Sequence, residues 1–195
     1  MSRHIMIDLE TFGTAPGSAI VSIGALEFYP EAGVIGETMH VSVNLTDSML
    51  AGMTTDAKTL KWWSGQSAEA KNAITENPTT LKHALYLLTQ FLHCPETHVI
   101  PKNMPIWCRG TSFDPVMLEP AFTAAGMKSP WQYWQWRDMR TLLKVCEECK
   151  GYKEPRRSDV AHDALDDCRH QALIVTECLA LLSPAPAPNL LVAVA

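Results

Sequence analysis

Three strand-like runs follow one another in the first 45 residues before any helical periodicity appears, and this order constrains the fold more than any other feature of the chain. HIMIDLE (4–10) is apolar and β-branched enough for a buried strand. The Gly- and Pro-rich turn TFGTAPGS separates it from a second run, AIVSIGALEF (19–28). YPEAGVIGE reads as the return to a third, TMHVSVNL (38–45), so the chain opens as an antiparallel meander. Residues 56–93 switch to helical spacing, with Asp56 as a cap before AKTLKWW and Pro78-Thr79-Thr80 starting LKHALYLLTQFL. MPIWCRG (104–110) reads as a fourth strand ended by Gly110. Asp114-Pro115 then supplies an N-cap and first-turn pair for the helix VMLEPAFTAAG, with Pro120 as a point of kinking. A short strand near WRDM, the helix TLLKVCEECK, a basic loop and a final helix follow. The implied fold class is α/β: a mixed β-sheet of three antiparallel N-terminal strands, then parallel strands, flanked by α-helices.

At 195 residues the chain is expected to form a single domain over 1–183, followed by a Pro/Ala-rich tail over 184–195. No run approaches the roughly 18 apolar residues of a membrane span, and the N-terminus lacks a signal-peptide pattern, so a cytoplasmic protein is expected. Six cysteines lie without the regular spacing of a secreted disulfide framework. Cys146 and Cys149 have zinc-ligand spacing, with His162 or His170 as further donors, but they fall in a helical stretch and read better as core residues and reduced thiols. The formal charge of −5 does not suit a long duplex footprint. Residues 137–157 nevertheless hold seven Lys/Arg against four acids, directly before the last helix.

Asp8 and Glu10 are two apart on the first strand, so both side chains emerge on one face, at the C-terminal end where open α/β sheets place ligands. Two neighbouring acids on a buried strand repel and are costly to desolvate, and a divalent cation is the simplest compensation. The other reading is that the strand has ended and both acids are solvated. Asp114 adds a third acid just after the fourth strand, beside Asp8 if that strand neighbours the first; as an acid before proline it also suits a plain helix cap.

The stretch HDALDDCRHQA (162–172) opens the last helix. Leu165, Cys168, Ala172, Val175 and Leu179 define an apolar stripe. At about 100° per residue, Asp167 lies about 115° from the stripe's centre and Asp163 and Asp166 at roughly 145–155°. Asp167 is thus the aspartate best placed to face the protein body. His162 works best in the loop or first turn, swinging over a site that Asp167 holds. Four acids suit two Mg²⁺ or Mn²⁺ ions, and a histidine near neutral pKa supplies a base for an attacking water. This set reads as phosphodiester hydrolysis.

At these residues the chain resembles the DEDDh branch of the DnaQ-like 3′–5′ exonucleases, over about residues 4–182. IDLET is similar to their first motif, with Asp8 and Glu10; SFDPVML to the second, with Asp114; and HDALDDCRHQA to the third, whose histidine and aspartate fall on His162 and Asp167. TLKWWSGQS, PWQYWQWRDMRTL and SIGALEF look closest to small phage and prophage exonucleases of the DexA type and their stand-alone bacterial relatives. The resemblance implies a ribonuclease-H-like fold and release of nucleoside 5′-monophosphates from a 3′ end. It also implies two metal ions held by Asp8, Glu10, Asp114 and Asp167, His162 as catalytic base, and contacts to the terminal nucleotide near Thr11 and Phe12. Family members are often dimers, which makes a homodimer the expected assembly. Few basic residues are evident on the substrate side, which favours single-stranded ends or short oligonucleotides over long duplexes; single-stranded DNA is the expected substrate, and the alternatives are an exoribonuclease and a non-catalytic nucleic-acid-binding module. Trp62, Trp63, Trp107, Trp131, Trp134 and Trp136 could stack on bases, although core packing suits most of them better.

Overall fold

The structure is a computed structural model that describes residues 2–93, 99–157 and 161–183. The Pro/Ala tail expected over 184–195 lies outside the described residues, as does Cys94. Strands β1 (His4–Thr11), β2 (Ile20–Tyr29) and β3 (Val34–Ser42) form the antiparallel meander. Strand β4 (Ile106–Cys108) adds to the other side of β1 in parallel, and β5 (Trp136–Asp138) to β4, also in parallel. The sheet order is β3-β2-β1-β4-β5, with β1 in the centre. The parallel strands need long crossovers, and the chain supplies them as helices.

The helices are α1 (Leu45–Leu50), α2 (Ala57–Ser64), α3 (Ala68–Ala73), α4 (Leu81–Leu92), α5 (Asp114–Ala124), α6 (Met139–Lys150) and α7 (Ala164–Leu182). Asp56 caps α2 through Lys58 and Thr59 N–H, and Thr80 caps α4 through His83 N–H, as their sequence positions imply. The third strand differs from expectation at both ends. Val34 and Ile35 extend it backwards from the left-handed turn at Gly33 (φ 64°), and it stops at Ser42. Asn44 instead caps the short helix α1, accepting from Asp47 N–H.

Alternation along β1 sorts the molecule into two cores. Ile5, Ile7 and Leu9 join α4 and α5 on one face, through Leu85, Leu88, Leu118 and Phe122. Met6 joins α6 and α7 on the other, through Met139, Leu143, Cys168 and Val175. Asp8 and Glu10 share the parity of Met6 and so lie on the α7 side. Cys146 is buried in this second core as expected, whereas Cys149, one helical turn on, is exposed and so is not the core residue expected of it; both are free thiols. No helix among the described residues is long and apolar enough to cross a membrane.

Candidate active site

The C-terminal half of β1 forms the floor of a cleft. Asp8 and Glu10 are fixed there by backbone pairing to Gly24 and Ser22 of β2. The parallel β1–β4 pairing, Ile5 with Ile106 and Met6 with Trp107, brings the chain after β4 alongside, and with it Asp114. Asp114 is not the N-cap expected of it: Phe113 occupies that position without a side-chain cap bond, and Asp114 is the first helical residue. Its carboxylate is thereby turned inward, 3% exposed, and lines the cleft together with Asp8.

The start of α7 closes over this floor because of Gly24. A Cβ on Gly24 would lie 2.3 Å from the backbone carbon and oxygen of Ala164, closer than real Cβ atoms approach. Only glycine lets the helix start rest against β2. Asp163 caps the helix through Leu165 and Asp166 N–H. His162, just before it, takes a left-handed backbone (φ 67°) that costs an L-residue roughly 1–2 kcal/mol. Ligand-type atoms of Glu10, His162 and Asp167 all lie within 4.8 Å of one another. Among the described residues no other such group of His, Cys, Asp or Glu occurs.

The buried stripe of α7 is rotated from its apolar centre. Leu165 and Leu179 are only partly buried, whereas Asp167, His170 and Gln171 are buried with Cys168 and Val175. Asp167 therefore lies inside the covered face rather than on its flank. Asp166 pairs with Arg169 at the surface. Gln171 donates to Asp8 Oδ1 at 2.6 Å, while its own Oε1 is buried without a partner.

Burial and mutual repulsion dominate the electrostatics. Asp8 is held well above the usual carboxylate range by burial, then by Asp114 and Glu10, against the Gln171 hydrogen bond and Arg109. Glu10 is pushed up to about 8 by burial, then by Asp163 and Asp114. Burial raises Asp114 to about 7. His162 is lowered, by burial and then Arg157, and is neutral at pH 7. Clustered carboxylates that hold protons to neutral pH are short of positive charge, and the donors are hard oxygens. The set fits divalent cations.

Several cationic side chains approach the acids from distant parts of the chain, which corrects the expectation of few basic residues on the substrate side. Arg157 pairs with Asp167. Arg109 and Arg140 line the β4–α6 flank of the cleft, and Lys58 the α2 flank. The cavity has a volume of about 1050 Å³. Trp62 and Trp63 also line it, Trp62 at 45% exposure with its ring 4.7 Å from that of His162. Trp107 and Trp131 are core residues, and Trp134 and Trp136 do not line the cleft. Thr11 borders the cavity, with its carbonyl accepting from Trp63 Nε1 at 3.0 Å. Phe12 does not; it packs edge-on against Trp63.

The model of the 3′–5′ exoribonuclease Rv2179c-like domain matches residues 3–179. The chain belongs to that family. It is a DEDDh-type 3′–5′ exonuclease, a hydrolase of a family that generally uses divalent metal ions. The exodeoxyribonuclease of enterobacteria phage T4 is 24% identical over 201 residues, covering 89% of this chain and 88% of the phage protein. Among solved structures, E. coli exonuclease I in complex with a dA16 oligonucleotide matches with a TM-score of 0.68 at 16% identity. That match covers 93% of this chain but only 42% of exonuclease I. Cell-death related nuclease 4 matches at TM-score 0.66 and 14% identity, over 93% of this chain and 64% of the other. These likenesses give the fold, the ribonuclease-H-like sheet of the exonucleases.

Three features of this family member escape a reading of motifs. Gln171 is four residues after Asp167 and so shares its helix face, a signal present in HDALDDCRHQA. Gly24 is a glycine inside a strand pattern, which marks close backbone approach. Arg109 follows β4 directly, at the same sheet edge that presents Asp114.

Proposed function

We propose that this cleft removes nucleotides one at a time from the 3′ end of single-stranded DNA, releasing nucleoside 5′-monophosphates. The observation that carries the reading is the gathering of four acids, three of them buried and Asp8 half-buried, with one neutral histidine in a single cleft. In this reading Asp8, Glu10, Asp114 and Asp167 hold two Mg²⁺ or Mn²⁺ ions. When bound, such a pair supplies the charge that stabilises both the attacking and the leaving oxygen of an in-line phosphoryl displacement. His162 accepts the proton of the attacking water, for which its lowered pKa and position above Glu10 and Asp167 suit it. Gln171 orients Asp8. Thr11 borders the terminal nucleotide, and Phe12 supports that contact by packing on Trp63.

DNA is favoured by the phage T4 relative, an exodeoxyribonuclease, and by the single-stranded DNA oligonucleotides bound in exonuclease I. The family description, exoribonuclease, favours RNA ends. The reading also takes residues 1–183 as one exonuclease unit, acting in the cytoplasm as a homodimer; sizing chromatography tests the assembly. End-labelled single-stranded DNA and RNA of one sequence, each with Mg²⁺ or Mn²⁺, test the substrate. The expected result is a ladder of products shortening from the 3′ end of DNA, abolished by EDTA. Cleavage of a 3′-blocked strand at the unblocked rate, or robust hydrolysis in excess EDTA, would overturn the mechanism; faster loss of the RNA would move the substrate to RNA.

A further inference from the structure

The cleft is larger than one nucleotide needs, since pockets for drug-sized ligands span about 300–1,000 Å³. Its two flanks differ in chemistry. The α2 flank offers the aromatic rings of Trp62 and Trp63, beside Thr11. The opposite flank, where β4 ends and α6 begins, offers two guanidinium groups, Arg109 and Arg140.

These two arginines are set on one rigid corner. Asp138 caps α6 through Thr141 N–H at 2.8 Å and, with its other oxygen, accepts from Thr111 N–H at 2.8 Å. Arg140 N–H donates to the carbonyl of Arg109 at 3.2 Å, so the two residues are tied backbone to backbone. The Arg140 guanidinium lies over Gly110, 3.7 Å from where a Cβ would stand. Arg109 is steadied by Glu154 at 3.6 Å, which also meets His170 at 3.5 Å. For the Arg140 guanidinium no ion pair or hydrogen bond occurs among the described residues. Both arginines are near enough to the floor to favour charged carboxylates there, Arg109 at Asp8 and Arg140 at Asp114.

A nucleic-acid strand carries a negative charge at every linkage, and an acid-floored cleft repels it. A neutral base and sugar suit the aromatic flank, while the forked donors of arginine suit phosphate. We infer that Arg109 and Arg140 form a subsite for an internal phosphate of the substrate strand, the one on the 5′ side of the scissile linkage. The inference rests on the exonuclease reading for the direction in which the strand runs. The corner thus reads the length of the substrate: a strand with a second phosphate reaches it, a single nucleotide does not.

The test compares two substrates of the full chain with Mg²⁺. The p-nitrophenyl ester of thymidine 5′-monophosphate has only the scissile phosphate; the octamer dT8, or rU8 if RNA is degraded faster, carries phosphates upstream. Arg140→Gln is expected to lower kcat/KM on the octamer roughly ten- to hundredfold, the span of a lost charge-assisted hydrogen bond, chiefly through KM. The loss on the ester should be at least tenfold smaller. The salt dependence of octamer binding should flatten by about 0.7 in log–log slope, one single-strand phosphate contact. Arg140→Lys should recover part of the loss. Fluorescence anisotropy of labelled octamer in Ca²⁺ reads binding without turnover and should show the same weakening. Equal losses on both substrates would put Arg140 at the reacting phosphate, and an unchanged octamer KM would remove it from the substrate path; either overturns the subsite. Wild-type protein that binds the octamer through Arg140 yet hydrolyses neither substrate would instead overturn the exonuclease reading and leave the subsite standing.

Discussion

Strand β1 and the start of helix α7 both deliver acidic side chains to the cleft, and they hold them by different means. Asp8 and Glu10 are anchored on the central strand by pairing to Gly24 and Ser22 of β2, just beyond Ile5 and Met6, where β4 pairs on the other side. Asp167 and His162 depend on a helix start that stays in place only because Gly24 allows contact, Asp163 caps the first turn and His162 accepts a left-handed backbone. The strand fixes position through many shared hydrogen bonds, whereas the helix start fixes it through a few separable devices. Loss of a strand acid should therefore disturb chemistry and leave structure, and loss of a helix-start device should disturb both.

Asp8→Ala tests the strand side and carries the largest effect. A metal-binding acid accounts for several kcal/mol of transition-state stabilisation, about 10³-fold or more in kcat at 1.36 kcal/mol per decade. Turnover within tenfold of wild type would move the site elsewhere. The same variant should melt increasingly higher than wild type in EDTA as pH rises, because the carboxyl that Asp114 and Glu10 oppose on ionising is gone. The pH dependence of that melting follows from the raised carboxyls. Glu10 titrates near 8 and Asp114 near 7 when folded, against about 4 in the unfolded chain. The folded state thus binds more protons at these two groups between those limits, and the stability they contribute is fully present below pH 4 and is lost as pH rises towards 8. Thermal melts in EDTA from pH 5 to 8 should show a declining Tm that Mg²⁺ restores; a rising Tm would mean the acids do not crowd one another.

His162→Ala tests the other region. Removal of a general base should lower kcat by about 10²–10⁴, with metal affinity, read by calorimetry, unchanged. If metal binding weakens in parallel, His162 is a ligand, which its closeness to Glu10 and Asp167 also allows, and the contrast between fixed acids and a separate base collapses.

Gly24→Ala probes the joint between the two regions. The added methyl must push Ala164 away, and overpacking of this kind costs about 1–3 kcal/mol. A displacement of about 1 Å can cost 10²-fold in rate, so kcat should fall by up to about that factor alongside Tm. A variant as stable and active as wild type would show that α7 does not need its close seat on β2.

The same contrast explains what the sequence makes legible. Asp8 and Glu10 can be read because strand alternation has a period of two, and the parity of Met6 puts them on the α7 side. The caps at Asp56 and Thr80 can be read because they are local. Asp114 misleads as a cap because Asp-Pro is a local signal too, and the structure gives that position to Phe113 to free the carboxylate for the cleft. The face of α7 is misjudged because an apolar stripe omits polar side chains, and here Asp167, His170 and Gln171 are buried by the cleft and the loop before it. Arg109, Arg140 and Arg157 are ordinary charges in sequence; only the fold gathers them into one cleft with Asp8 and Glu10 of β1.

The smallest effects belong to the two remaining aspartates of the α7 start. Asp166 pairs with Arg169 at a partly exposed surface, and such pairs contribute roughly 0.2–1 kcal/mol, so Asp166→Asn should leave kcat within about twofold of wild type. Asp163 is more than solvated surface, since it caps α7 and adds repulsion at Glu10. Asparagine caps a helix as well as aspartate does, and it removes the charge. Asp163→Asn should therefore keep the helix start and its activity, while easing the pressure on Glu10 enough to raise Tm slightly in EDTA. Asp167→Asn, on the covered face, should be inactive beside these two. Kinetics of the three variants measured side by side decide the matter. An inactive Asp166 variant with an active Asp167 variant would contradict both the placement of Asp167 in the cleft and the motif that selects it.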